Sequence, residues 1–372
     1  MNINDDVINT NDDVINTNDD VINTYDDVIN TNDDVINTYD DYDNYHNDNK
    51  FNLNNAFIPL SKHPSFTSLS LTEKEVVSNL LCKTVSDAEN GKWLIPNNEI
   101  IVEYPAFAKG SFSSVHNCDW RGSKIAVKKP IYQKISNIMD FLQEIQVWHT
   151  LRHPNLVQFL GISLNHIEDE ITILMEKVSG NNLKDFIENN RSSYAISRKR
   201  YIISQIITVI KFLHNCNPPV VYRDLKPENI LIDKNYNIKL TDFGLSKYFH
   251  ETDDDDSYAM TGNTGTLRYM APEVYFNKKY NLNVDVYSLG LIIYYIYTDE
   301  RPFNNYTVEL MNTYFKSEDL IMSTKKIKDR KVRSIVNKCI DKDPVKRFNI
   351  NNLLDEWNNM CEIKKDGNCT IS

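Results

Sequence analysis

The sequence predicts an α+β protein in two lobes, a small β-rich one followed by a larger helical one, with a cleft between them. Three observations carry that expectation. Short runs of strand character recur from Ile100 to Glu176 and enclose one strongly periodic helix. After Gly180 the apolar residues recur at helical spacing, as in Ile203, Ile206, Ile207, Ile210 and Leu213. Within that second part, Val220–Gly244 brings Asp224, Asn229 and Asp242 to one place through two turns. A chain of 372 residues is long enough to bury cores for both lobes without covalent staples.

The net charge of −11 belongs mainly to one end of the chain. Residues 1–50 hold 14 Asp and one Lys, so the remainder is close to neutral and its charge says little about partners. Residues 4–38 are five copies of a seven-residue unit, [N/Y]-D-D-V-I-N-T. A coiled coil is disfavoured: Val and Ile are adjacent in each unit, and paired Asp repel along a helix. Asp, Asn and Thr are poor helix formers, so residues 1–92 are expected to be a disordered, low-complexity region. The sharper alternative for the repeats is a β-arch or docking segment. One short helix is expected within this region, Thr72–Val85, where Thr72 and Glu75 have capping-box spacing.

Six cysteines at 82, 118, 216, 339, 361 and 369 show no C-x-x-C pair, which disfavours a zinc site or disulfide framework and fits a reducing compartment. No basic, apolar leader follows Met1. The longest apolar run, Leu289–Tyr297, is half of the roughly 20 residues a membrane span needs. The expected location is the cytosol, or a virion if the source is viral, since the Asn-, Ile- and Tyr-rich composition suggests an A+T-rich genome.

Strands are expected at Ile100–Glu103, Ser114–Cys118 and Lys124–Lys129, with Ala126 and Lys128 on one face and Ile125 and Val127 on the other. A helix at about Asn137–Thr150 carries an apolar stripe of Ile138, Phe141, Leu142, Ile145 and Trp148. Glu144 borders that stripe, so its carboxylate can turn inward. Strands near Leu156–Ile162 and Ile171–Glu176 follow. Later helices are expected at about Asp285–Tyr297, Lys326–Cys339 and Asn351–Met360.

The motifs within this frame resemble those of eukaryotic-type protein kinases. They are Ile125-Ala126-Val127-Lys128, Tyr222-Arg223-Asp224-Leu225-Lys226-Pro227-Glu228-Asn229, Asp242-Phe243-Gly244 and Gly265–Glu273, in the family's order. Trp120-Arg121-Gly122, His153-Pro154-Asn155-Leu156 and Gly265-Thr266-Leu267-Arg268-Tyr269-Met270-Ala271-Pro272-Glu273 are similar to the tyrosine-kinase-like group of Ser/Thr kinases, Raf-like and mixed-lineage. The resemblance covers a domain at 97–360, with a small lobe at 97–176, a large lobe at 179–360 and a tail at 361–372.

The resemblance implies a Ser/Thr protein kinase that moves the γ-phosphate of ATP to a protein hydroxyl with Mg²⁺ as cofactor. Lys128 would face the α/β-phosphates, held by Glu144. Asp224 would orient the acceptor hydroxyl and take its proton, Lys226 would neutralise the γ-phosphate, and Asn229 and Asp242 would bind metal. Lys226 and Thr266 favour Ser/Thr over Tyr as acceptor. Met175 would be the gatekeeper, and the backbone of Glu176 and Val178 would bond the adenine between Val115, Ala126 and Leu231. Glu273 with Arg347, and Asp285, would be architectural supports. The implied partners are ATP and a protein substrate, with no nucleic acid and no membrane span.

Two departures qualify the resemblance. Tyr222 replaces the family's His, at a position that packs rather than reacts. In Phe107-Ala108-Lys109-Gly110-Ser111-Phe112-Ser113-Ser114-Val115 only Gly110 remains of three loop glycines, so weaker ATP binding or slower turnover is expected. Similar kinases bind an activation-loop phosphate with the arginine at the position of Arg223; a phosphorylated Ser257, Tyr258, Thr261 or Thr264 is one candidate partner and the Asp253–Asp256 run another, while most of that run is expected to be a solvated acidic loop. The rivals are a pseudokinase scaffold, disfavoured because Lys128, Glu144, Asp224, Asn229 and Asp242 are all present, and a small-molecule kinase.

Overall fold

The computed structural model describes residues 70–110, 113–131, 135–165, 170–191, 194–249, 267–317 and 320–362. The repeats, Ser111 and Phe112 of the loop, Asp253–Asp256 and the hydroxyls from Ser257 to Thr266 lie outside them.

The first element corrects an expectation. Residues 70–92 are not irregular, and their helix is not the short Thr72–Val85: α1 spans Leu71–Asn90. Its capping box is Ser70 with Glu73, two residues before the expected pair, and Glu73 returns its carboxylate to the Ser70 N–H. Val77, Leu81, Val85 and Ala88 fall on one stripe and are buried. The polar composition of the segment conceals this stripe, because its other faces are charged.

The small lobe is one antiparallel sheet. Its strands are β1 (Ile100–Val102), β2 (Ala108–Lys109), β3 (Ser113–Trp120), β4 (Ser123–Pro130), β5 (Phe159–Asn165) and β6 (Glu170–Met175), in the order β1-β3-β4-β6-β5 with β2 on β3. The helix α2, Ile135–Trp148, crosses between β4 and β5. Period-two alternation divides β4 as expected: Ile125 and Val127 enter a small outer core with Cys118 and Leu174, while Ala126 joins the main core.

The large lobe follows with β7 (Gly180–Asn182), α3 (Leu183–Asn189) and α4 (Ile196–His214). Then come β8 (Val220–Val221), β9 (Ile230–Asp233), β10 (Ile238–Leu240) and β11 (Lys247–Tyr248). The helices α5 (Pro272–Tyr275), α6 (Asn283–Thr298), α7 (Val308–Lys316), α8 (Arg330–Cys339) and α9 (Ile350–Glu362) complete the described part. The bilobal α+β arrangement is as expected. The α8 helix starts later than Lys326, because Asp329 caps it by accepting from the Lys331 and Val332 N–H groups. Central α6 is buried on nearly every face, so its polar groups need internal partners. One of them, Asp285, accepts the N–H groups of Tyr222 (2.9 Å) and Arg223 (2.8 Å) and contacts His214 at 2.8 Å. The other brace is Arg347 on Glu273, with a guanidinium–carboxylate contact of 3.0 Å in the buried interior. No helix among the described residues is long and apolar enough to cross a membrane.

Candidate active site

Two loops and two small-lobe elements converge on one cleft. Lys128 projects from β4, and α2 delivers Glu144 to it: the ammonium lies 2.6 and 2.8 Å from the two carboxylate oxygens. The same ammonium reaches Asp242 Oδ1 at 2.9 Å, so one cation ties both lobes together. Burial alone would disfavour the Lys128 charge, but the Asp242 and Glu144 carboxylates outweigh it and hold its pKa above the usual lysine range.

Asp242 follows the β9–β10 hairpin. Lys128, opposed by burial, holds its pKa below the usual aspartate value, so Asp242 stays ionised. Nearly half of its side chain, 46%, remains open to the cleft. Asp224 differs. It is buried, and burial, reinforced by the charge on Asp242 and opposed by Lys226, raises its pKa. Lys226 Nζ lies 2.7 Å from Asp224 Oδ2, and the Asn229 amide donates to that same oxygen at 2.8 Å and to the Asp224 carbonyl at 3.0 Å. With its donor end engaged, Asn229 presents Oδ1 as its remaining acceptor.

Arg223 and Asp242 both adopt left-handed backbone, with φ of 66° and 65°. For residues with a side chain this costs about 1 kcal/mol each. The Arg223 N–H bond to Asp285 and the Lys128 contact to Asp242 hold the two conformations in place.

The apolar residues expected around the adenine belong to one core: Ala126 and Met175 are buried in it, and Val115, Val178 and Leu231 are partly buried and pack against that core. Ala126 is opposite Met175 in the β4–β6 register. The Glu176 N–H already bonds the Gln158 carbonyl at 2.9 Å, which leaves the Glu176 carbonyl as the acceptor at that edge. The strands on either side of the loop tip, β2 and β3, pair without the missing glycines. Ala108 pairs with Val115 and Lys109 with Ser114; Phe107 N–H donates to the Val115 carbonyl at 2.9 Å, and Gly110 N–H to the Ser113 carbonyl at 2.8 Å. Phe107 is exposed. Among the described residues, a Cβ on Gly110 would meet the Ser113 carbonyl at 3.6 Å, an ordinary contact.

A family model described as "Protein kinase domain" matches residues 105–357. This chain belongs to the protein kinase family. Among curated relatives, serine/threonine-protein kinase VIK of Arabidopsis thaliana is 35% identical over 204 residues, 53% of this chain and 46% of that protein. Serine/threonine-protein kinase CTR1 of Arabidopsis thaliana is 32% identical over 251 residues, 66% of this chain and 30% of its own length. Putative serine/threonine-protein kinase/receptor R831 of Acanthamoeba polyphaga mimivirus is 32% identical over 221 residues, 59% and 13%. The chain thus spans less than half the length of these relatives.

Within the kinase fold, sequence reasoning missed one set of residues. Tyr222, Phe243, Trp148 and Phe159 form a continuous aromatic column behind the carboxylates. Ring centroids are 5.5 Å apart for Tyr222–Phe243, 5.4 Å for Phe243–Trp148 and 5.9 Å for Trp148–Phe159. Trp148 is four residues beyond Glu144, on the same side of α2, and that spacing was the available signal. The Tyr222 hydroxyl also donates to the Thr241 carbonyl, a bond that a histidine would make differently.

Proposed function

We propose that this chain is a Mg-ATP-dependent Ser/Thr protein kinase. The observation that carries the reading is the Lys128–Glu144–Asp242 cluster beside a separately buried Asp224: one group held as a cation, one carboxylate kept ionised, and one raised towards proton affinity. Phosphoryl transfer asks for positioning and charge neutralisation more than for covalent chemistry, and this set supplies both.

Lys128 would bind the α/β-phosphates, with Glu144 fixing its ammonium. The adenine would lie between Val115, Ala126 and Leu231, bonded by the Glu176 carbonyl and the Val178 backbone. Phe107–Val115, including Ser111 and Phe112, would cover the phosphates. Asp224 orients the acceptor hydroxyl and takes its proton as the hydroxyl oxygen attacks the γ-phosphorus. The bond to the β–γ bridging oxygen breaks, and ADP leaves. Lys226 neutralises charge on the transferring group. The oxygen donors Asp242 and Asn229 suit Mg²⁺, because the carboxylate stays ionised and the amide has its oxygen as its remaining acceptor. Bound there, Mg²⁺ supplies charge neutralisation on the phosphate oxygens. Cys82, Cys118, Cys216 and Cys339 carry no disulfide, which supports a reducing compartment such as the cytosol.

The test is transfer of labelled γ-phosphate to a generic protein substrate, followed by hydrolysis and identification of the labelled amino acid. Label on Ser or Thr that disappears with Asp224→Asn is expected. Equal signal from both proteins defeats the kinase reading, and label on Tyr defeats the acceptor assignment.

A further inference from the structure

The segment before the family match is built into the catalytic lobe at two points. The buried stripe of α1, Val77, Leu81, Val85 and Ala88, belongs to the same core as Ile138, Leu142 and Ile145 of α2, and Gln146 of α2 donates to Thr84 of α1 at 3.1 Å. Beyond α1 the chain turns and pairs with the outer edge of β5. The Ile95 N–H bonds the Ile162 carbonyl at 2.8 Å, and the Ile162 N–H bonds the Trp93 carbonyl at 2.9 Å. That approach is so close that a Cβ on Gly161 would sit 2.3 Å from the Trp93 carbonyl oxygen. Between the two anchors, Trp93 stacks on His149, just past the end of α2, with centroids 4.9 Å apart. It also meets Phe159 edge-on at 5.4 Å, which extends the aromatic column by one ring to the surface.

We infer that Ser70–Ile95 is an intramolecular clasp that holds α2 with Glu144 on Lys128, and that Trp93 is its positioning residue. The inference rests on the kinase reading only for its consequence, because the clasp itself is a matter of packing. Glu144 is delivered by α2, and α1 shares a core with that helix and meets it at Gln146. Removing that packing would expose the α1 stripe and leave α2 with fewer contacts to fix its position. A helix with two available positions is biased by whatever contacts only one of them. Here the contact is supplied in cis, by residues that precede the matched domain at 105–357. Trp93 contributes at the junction, where its ring touches both His149, just past the end of α2, and Phe159, the near end of the column that runs to Tyr222.

The experiment uses the full chain with Trp93→Ala, Trp93→Phe and Leu81→Glu. Hydrogen exchange across α2 and affinity for a non-hydrolysable ATP analogue are measured beside kcat and KM for ATP. Trp93 is only half-buried, so its loss leaves the fold intact, as a retained melting transition checks. Trp93→Ala and Leu81→Glu are expected to speed α2 exchange and weaken analogue binding by about tenfold, the scale of one lost aromatic contact. Trp93→Phe should restore most of both. Unchanged α2 exchange and nucleotide affinity in Trp93→Ala overturns the clasp, as does failure of Trp93→Phe to recover them. Should Leu81→Glu unfold, the two Trp93 variants decide alone. Exchange needs no turnover, so loss of the kinase reading, seen as equal transfer by parent and Asp224→Asn, is a separate outcome.

Discussion

Trp148 stacks on Phe243 with ring centroids 5.4 Å apart and an interplanar angle of 27°. One ring stands a turn beyond Glu144, and the other is next to Asp242. The helix that carries the glutamate and the loop that carries the aspartate are therefore joined twice: by aromatic packing, and by the shared ammonium of Lys128. Removing Trp148 should loosen both. Trp148→Ala is expected to cost about 3–5 kcal/mol of stability, measured by urea unfolding. Tyr222→Phe, which loses the hydroxyl bond to Thr241 and keeps the ring, should cost about 1 kcal/mol and keep turnover within tenfold of the parent.

Lys128→Ala leaves Glu144 buried, with 2% of its side chain exposed, and without its cation. Transfer should fall by at least about a hundredfold, and stability by about 3 kcal/mol. Adding Glu144→Ala should recover part of the stability and none of the activity. A double-mutant cycle in urea checks the first statement, and labelled transfer the second.

The raised pKa of Asp224 has two consequences of opposite sign. The role as base that we propose for it requires the ionised form, so kcat should fall as pH drops through the folded pKa, at a pH above the ordinary aspartate value of 3.8. A native state that holds the proton more tightly than the unfolded chain loses stability as pH rises through that same window, and the loss is complete at neutral pH. Asp224→Asn, which carries no charge, should therefore melt a few degrees above the parent at pH 7 while being inactive. The gap should close towards pH 4; calorimetry across that range checks the sign.

The strands flanking the loop pair with Ala108 and Ser113 in place of glycine, so that pairing does not depend on glycine at those positions. What glycine would add is room for backbone N–H groups to approach phosphate. Ala108→Gly combined with Ser113→Gly is expected to lower KM for ATP without raising stability. Steady-state kinetics and a thermal melt on the same protein measure both.

Much of the site was legible before any coordinates. Lys128, Asp224, Asn229 and Asp242 lie in runs whose local geometry is set by near neighbours: alternation in β4, a loop, and a hairpin. The Glu144 carboxylate was legible for the same reason, since helical periodicity places it at the edge of an apolar stripe. The α1 helix was only partly legible, because a capping box two residues earlier and a stripe of Val77, Leu81, Val85 and Ala88 are hard to separate from a charged background.

The sequence by itself determined the order of the elements, the two lobes and the chemical types in the cleft, because those follow from periods and turns a few residues long. Only the tertiary structure decided that Lys128 bridges Glu144 and Asp242, that Trp93 continues the column of Tyr222, Phe243, Trp148 and Phe159, and that two carboxylates in one cleft are pushed in opposite directions. Each of these depends on residues far apart in the chain meeting in a buried space. Burial and charge at such a meeting point are properties of the packed core, and no local pattern encodes them.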